Sequence, residues 1–190
     1  MLKNTTNQYG WVSIVIHWTT ALVVIAMFAL GWWMLTLTYY DEWYRLGPWW
    51  HKSIGILLLA LTLFRLLWKV AVGVPNPDGK RWEQKAAKLG HGALYFMLFV
   101  VMLSGYMIST ADGRAISVFD WFDVPGISFG VENQEDIAGL VHWYAAVVLM
   151  ILAAGHALMA VKHQVINKQP TLKKMISPNV VSKSVSNDKR

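Results

Sequence analysis

The sequence has no cysteine, and charged residues, the acidic ones above all, are scarce. Without cysteine, the chain itself forms no disulfide, offers no thiolate nucleophile, holds no cysteine-ligated iron–sulfur cluster and attaches no haem covalently. Only 15% of the 190 residues are charged, whereas 55% are hydrophobic. Too few polar side chains remain to cover the surface of a soluble domain. The composition therefore indicates a membrane protein.

Four long apolar stretches dominate what is present. They cover residues 12–38, 51–72, 89–109 and 137–161, each close to the ~20 residues that cross a ~30 Å hydrocarbon layer as a helix. Tryptophan and tyrosine gather near their ends, where aromatic rings rest at the level of lipid headgroups. The predicted fold class is all-α, a transmembrane four-helix bundle formed by residues 1–176.

The basic residues are divided unequally between the two sides of such a bundle. If the N-terminus is cytoplasmic, 14 of the 17 Lys and Arg residues fall on that side, and the opposite loops keep Arg45, Lys52 and Arg114. Because cytoplasmic loops are enriched in Lys and Arg, we expect both termini in the cytoplasm. The basic character is then explained by the inner loops, and no nucleic-acid-binding motif accompanies it.

The connections between the stretches are predicted to be loops. In residues 39–50, Gly47 and Pro48 are expected to end one helix and precede the next. Residues 73–88 contain a turn cluster of proline, asparagine, aspartate and glycine at positions 75–79.

The longest connection covers residues 110–136. It combines six acidic residues with several aromatic ones, which predicts a segment folded as a cap on the outer face. Residues 177–190 are rich in Ser, Lys, Asn and Asp, a composition typical of a disordered tail, here on the cytoplasmic side.

A spacing of 14 residues recurs once in each apolar stretch. The pairs are His17 and Gly31, His51 and Arg65, His91 and Gly105, and His142 and His156. At about 1.5 Å and 100° per residue, 14 residues span roughly 21 Å and return to nearly the same helix face. Alternate helices cross the membrane in opposite directions, so the pairs define two depths. The inner depth holds His17, Arg65, His91 and His156, and the outer depth holds Gly31, His51, Gly105 and His142.

The residues at the outer depth predict a haem site. An ionisable side chain within a span is costly and therefore a functional candidate, and neutral imidazole is a good axial ligand of haem iron. His51 and His142 can ligate from two helices of a bundle, while Gly31 and Gly105 would let a macrocycle edge approach the backbone. This arrangement suits a b-type haem with two histidine ligands.

The inner depth leaves the ligand set open. His17, His91 and His156 are three candidates for two axial positions, and Arg65 is available for a haem propionate or a quinone oxygen. A haem-free proton or metal-ion carrier that uses the same histidines is a further alternative.

A quinone site would need a hydrogen-bond donor at each carbonyl oxygen. His91 and Arg65 are the candidates on the inner side, and Lys52, Ser53 and Trp50 are those on the outer side. Pairing with a haem propionate, or extension of the side chain to the interface, accounts for His91 and Arg65 at least equally well.

Several short runs resemble the bacterial cytochrome b561 family. They are His17-Trp18, the His-Lys-Ser-Ile-Gly run at 51–55, Leu89-Gly90-His91, the Ile-Ser-Thr-Ala-Asp-Gly turn at 108–113 and the final His142/His156 pair. The resemblance covers about residues 8–176. This family shares its four-helix haem core with the cytochrome b subunits of nickel–iron hydrogenases and formate dehydrogenases. The resemblance implies two haem b groups, with His51 and His142 on the periplasmic one and His17 and His156 on the cytoplasmic one.

The resemblance also implies a function in the bacterial inner membrane. Family members pass electrons across the membrane, usually to or from quinone, and some resemble superoxide oxidases. We therefore expect single electrons to move between an unidentified periplasmic donor, with superoxide as one candidate, and ubiquinone. Whether the chain acts as an enzyme, a quinone oxidoreductase, is left open. The alternative is an electron-transferring anchor subunit of a larger dehydrogenase.

The outer loops do not suit an anionic donor such as superoxide. They hold eight acidic residues against three basic ones, a balance that repels anions over about a Debye length. Arg45, Lys52 and Arg114 would have to form a local positive funnel.

Overall fold

The computed structural model consists of four long helices, one β-hairpin and a short final helix. The elements are α1 (Trp11–Met34), α2 (Trp43–Val72), α3 (Arg81–Ser109), β1 (Ile116–Val118), β2 (Phe122–Val124), α4 (Gln134–Val165) and α5 (Thr171–Lys174). The structure describes residues 1–76 and 79–178, so positions 77–78 of the predicted turn and 179–190 of the predicted tail lie outside the described residues. Each of α1 to α4 is long and apolar enough to cross a membrane, which confirms the predicted bundle.

The four long helices pack as two halves. Contacts are most extensive between α3 and α4 and between α1 and α2, and α2 makes a smaller contact with α3. Leu58, Leu98, Met102 and Leu149 form a buried cluster that joins α2, α3 and α4. Many other apolar side chains of the helices are exposed, as expected where lipid surrounds a helix that is hydrophobic all round.

The two ends of the bundle are named after the orientation predicted from the basic residues. The end that carries His51 and His142 is the outer end, and the end that carries His17 and His156 is the inner end. The N-terminal segment is fastened at the inner end, where the side-chain amide of Asn4 donates to the carbonyl of Gly73 at 2.8 Å.

The predicted start of the second helix was wrong. α2 begins at Trp43 and contains both Gly47 and Pro48. Pro48 lies beyond the first turn of α2, so it cannot donate the hydrogen bond that a residue there makes to the carbonyl four residues earlier. Packing offsets this cost, because Gly47 is buried and the Trp43 ring lies 5.7 Å from that of Trp33.

Two other helices extend beyond their apolar stretches. α3 begins at Arg81, where the Lys80 N–H donates to the Glu83 carboxylate at 2.8 Å. α4 begins at Gln134 and ends at Val165. Apolar residues mark the part of a helix that meets hydrocarbon, whereas capping groups fix where the helix itself begins.

The predicted cap includes a β-hairpin that the sequence analysis did not anticipate. β1 pairs antiparallel with β2, and Ile116 lies opposite Val124. The turn residues Phe119 and Asp120 have φ angles of 49° and 58°, in the left-handed region that bulky side chains seldom adopt. The familiar Asn-Gly signal for such a turn is absent from this segment, so the pattern of residues gave no indication of a hairpin.

Candidate functional site: two histidine pairs

At the outer end, His51 of α2 faces His142 of α4. Their ring centroids are 6.1 Å apart and their planes make an angle of 71°. Nδ1 of His142 donates to the carbonyl of Val101 at 2.8 Å. A neutral ring with its proton on Nδ1 keeps the Nε2 lone pair free for a metal. Nδ1 of His51 is buried and has no hydrogen-bond partner among the described residues, which is unusual for a buried polar atom.

Gly31 and Gly105 make room for these two rings. A Cβ at Gly31 would lie 3.2 Å from Cε1 of His51, and a Cβ at Gly105 would lie 3.0 Å from Cε1 of His142. Each glycine therefore admits an imidazole from the neighbouring helix of its own half. The approach of a macrocycle edge to these glycines stays a prediction.

Three histidines meet at the inner end. His17 of α1 and His156 of α4 have ring centroids 6.3 Å apart, with an angle of 65° between their planes. His91 of α3 comes closer to His156, at 5.0 Å. Side chains from three helices therefore converge at the predicted inner depth.

Arg65 completes the inner cluster. Its Nη2 donates to Nδ1 of His17 at 2.9 Å, and its guanidinium lies 5.3 Å from the centre of the Tyr95 ring. Because a guanidinium only donates, Nδ1 of His17 accepts, and a neutral His17 ring then carries its proton on Nε2. Ligation of a metal through Nε2 of His17 would require Arg65 to leave Nδ1 and bind another acceptor.

The separations within the pairs can be compared with the size of an iron centre that has two imidazole ligands. An iron ion about 2 Å from each ligating nitrogen places the two ring centres about 6 Å apart. The distance of 6.1 Å in the outer pair and that of 6.3 Å between His17 and His156 fit this value. The distance of 5.0 Å between His91 and His156 is too short. The ring separations of these two pairs are therefore compatible with a haem iron between two histidines at each end, provided that Arg65 releases Nδ1 of His17 at the inner end.

The outer basic residues do not form one cluster of free charges. Arg114 is paired with Asp112 in an exposed ion pair, and hydrogen bonds from Arg114 hold the pKa of Asp112 below its ordinary value. The charge of Arg114 is thus largely offset. Arg45 and Lys52 are exposed.

Two serines near the outer histidines have roles that the sequence did not reveal. The hydroxyl of Ser104, beside Gly105, lies 3.3 Å from Nδ1 of His142 and donates to the carbonyl of Val100 at 2.6 Å. The hydroxyl of Ser53, considered above for quinone, is buried beneath the hairpin. For both serines, the signal that the sequence offered was a polar residue within an apolar run.

Replacement of Gly105 by alanine is expected to weaken the outer site selectively. The added methyl group would lie 3.0 Å from Cε1 of His142, and crowding of this kind typically costs about 1–3 kcal/mol, or roughly tenfold in haem retention. Haem loss from the purified protein, followed by its absorbance, measures the effect. Gly139→Ala on α4 is the matched control, because a Cβ there meets no described atom within 4 Å. Equal haem retention in the two variants would contradict the role assigned to Gly105.

The chain is similar to known proteins along most of its length. The sequence profile of the family described as prokaryotic cytochrome b561 matches residues 8–178. Cytochrome b561 homolog 2 of Escherichia coli K12 is 47% identical over 175 residues, which cover 91% of this chain and 93% of that protein. Cytochrome b561 homolog 1 of the same organism is 27% identical over 176 residues, with 90% and 97% covered. Cytochrome b562 of Cereibacter sphaeroides is 28% identical over 176 residues, with 90% and 96% covered.

Proposed function

The chain belongs to the prokaryotic cytochrome b561 family, and on that premise we propose that it carries single electrons from a periplasmic donor to ubiquinone through two b-type haems. Membership of the family implies a bacterial membrane cytochrome with haem b. The number of haems, the quinone and the orientation with both termini in the cytoplasm belong to the proposal. The observation that carries it is the recurrence of nearly equal histidine separations, 6.1 Å and 6.3 Å, at two depths.

Four histidines are the proposed iron ligands. His51 and His142 would hold the outer haem, and His17 and His156 would hold the inner one. When bound, each haem supplies a reversible one-electron change, whose potential the protein sets through ligation, burial and nearby charge. The bond from His142 to the Val101 carbonyl orients that ring and raises its basicity as a ligand.

Cations at the inner level support an anionic ligand there. Arg65 and Lys69 both lie 5.3 Å from the centre of the Tyr95 ring, and in the described part of the chain no ion pair joins either one to a carboxylate. A cation near the membrane interior is costly without a partner. Haem propionates would supply that partner, and Arg65 would then release Nδ1 of His17.

Quinone is proposed to bind beside the inner haem. Reduction of ubiquinone takes up two electrons and two protons, and its carbonyl oxygens need hydrogen-bond donors. His91 and Arg65 are the donors proposed for the inner side, where protons would come from the cytoplasm. Lys52 is the corresponding candidate at the outer end.

Charge favours a neutral or cationic electron donor over superoxide. The outer loops carry eight acidic and three basic residues, and the ion pair with Asp112 offsets the charge of Arg114. An approaching anion therefore meets an unfavourable field at low salt.

Oxidation of the reduced protein by a soluble ubiquinone analogue tests this function. We expect the b-type absorbance bands of the purified, reduced chain to disappear with about one quinone consumed per two haems oxidised. Failure of quinone to oxidise the isolated chain, together with co-purification of a soluble dehydrogenase, would favour the anchor-subunit alternative. A colourless protein would favour a haem-free carrier, although the described residues contain no group of three or more His, Asp or Glu placed to hold a metal ion.

A further inference from the structure

Each histidine pair joins the two halves of the bundle. One ring comes from the α1–α2 half, on either α1 or α2, and the other always comes from α4. Extensive helix packing lies within the halves, and the contact between α2 and α3 is smaller. The buried cluster that joins the halves contains one residue of α2, Leu58, so contacts nearer the two ends of the bundle would help to set the distance between the rings of each pair.

At the outer end, Ser53 fastens α2 to the hairpin. Its hydroxyl is fully buried, accepts the N–H of Phe119 at 3.1 Å and donates to the carbonyl of Ser117 at 3.5 Å. Ser53 lies two residues after His51 on α2. The hairpin belongs to the segment that leads from α3 to α4, so these bonds attach the helix of His51 to the segment that precedes the helix of His142.

The hairpin turn is held firmly against α2. The Phe119 ring lies 5.1 Å from the rings of both Trp49 and Trp50, and Phe119 keeps a φ of 49°. A bulky residue retains a left-handed backbone only where its surroundings over-determine it. The Ser53 bonds are thus part of a fixed attachment.

At the inner end, Trp18 makes an equivalent connection. It directly follows His17 on α1, and its indole N–H donates to the carbonyl of Met175 at 2.7 Å. Met175 caps the end of α5, and α5 packs on α4. This bond attaches the helix of His17 to the segment that follows the helix of His156.

We propose that Ser53 and Trp18 are positioning residues, each of which holds one histidine pair at the separation needed to ligate iron. Ser53 acts on His51 and His142, and Trp18 acts on His17 and His156. The inference rests on the proposed two-haem function. Because the two connections lie at opposite ends of the bundle, each acts on its own haem. Hydrogen bonds that merely added stability to the fold would affect both haems alike.

Two substitutions and two matched controls test the proposal in the full chain. Ser53→Ala removes the outer connection, and Trp18→Phe removes the inner one. Thr62→Val also deletes a fully buried hydroxyl from α2, but among the described residues that hydroxyl bonds only to the Leu58 carbonyl of its own helix, at 2.8 Å. Trp68→Phe also deletes an indole N–H, but its bond to the Ser13 hydroxyl, at 3.1 Å, lies within the α1–α2 half.

The measurements are haem content, the electron paramagnetic resonance signal of each ferric haem and the rate at which each haem is lost. Signals are assigned with the single-haem variants His51→Ala and His17→Ala. We expect Ser53→Ala to shift the outer signal and to speed loss of the outer haem by about fivefold to tenfold, with the inner haem unchanged. We expect Trp18→Phe to shift the inner signal and to speed loss of the inner haem, with the outer haem unchanged. Both controls should behave like the wild type.

Three outcomes would overturn the inference: equal effects on both haems, no effect on either, or the same effects in the controls. Fewer than two haems in the wild-type chain would instead contradict the proposed function. If Ser53→Ala does not accumulate in membranes, Phe119→Gly weakens the attachment of the same hairpin to α2 by removing the ring contacts with Trp49 and Trp50; it keeps the backbone N–H that Ser53 accepts and leaves every helix residue in place. Its expected result is also a selective change at the outer haem.

Discussion

The His51→Ala protein is expected to keep one haem and to lose the other. Removal of the imidazole leaves His142 without the partner whose ring centroid lies 6.1 Å away, and a haem held by one remaining ligand binds much more weakly. Haem content should fall from about two to about one per chain. The pyridine haemochrome assay gives that ratio, and the reduced-minus-oxidised spectrum identifies the haem that remains.

His142→Ala should give the same residual spectrum as His51→Ala. Arg45→Ala is the control, because this side chain on the same helix is exposed and is not proposed to contact haem or quinone, so the variant should retain both haems. Loss of both haems from the His51→Ala protein would mean that the two sites are not independent.

The His17→Ala protein is expected to lose the inner haem even though His91 remains. The His91 ring lies 5.0 Å from that of His156, a separation too short to accommodate an iron ion between the two nitrogens, whereas His17 lies at 6.3 Å. Haem content should again fall to about one per chain. Haem assays on the purified His17→Ala and His91→Ala proteins compare the two candidates directly.

The His91→Ala protein should keep two haems and show a changed reaction with quinone, since His91 is proposed as a donor to the headgroup. The opposite pattern, with two haems in the His17→Ala protein and one in the His91→Ala protein, would make His91 the inner ligand.

Much of the fold was predictable because helix geometry is regular across a membrane. Because the rise and turn per residue are constant, residues 14 positions apart on a helix could be assigned to two depths in the membrane. Arg65 and His17 were assigned to the same depth on different helices, and they are hydrogen-bonded at 2.9 Å. The start of α2 was not predictable from its glycine and proline, because the helix continues through Pro48 despite the hydrogen bond that proline cannot make, and Trp43 packs on Trp33 of another helix.

The 14-residue spacing could not choose between the inner histidines, and the prediction of His17 came from the family resemblance. His17 and His91 share one predicted depth, and the structure places their rings at different distances from that of His156, 6.3 Å and 5.0 Å. The hydrogen bonds that connect the two halves of the bundle could not be predicted from the sequence either. Ser53 and Ser117 are 64 positions apart, and Trp18 and Met175 are 157 positions apart, so no local pattern links them.

The most direct measurement of the central claim is the number of haem b groups per chain in the purified wild-type protein, taken with its reduced-minus-oxidised spectrum. The account predicts about two haems per chain and sharp b-type bands that consist of two components. A single haem per chain, or a protein without haem, would contradict it.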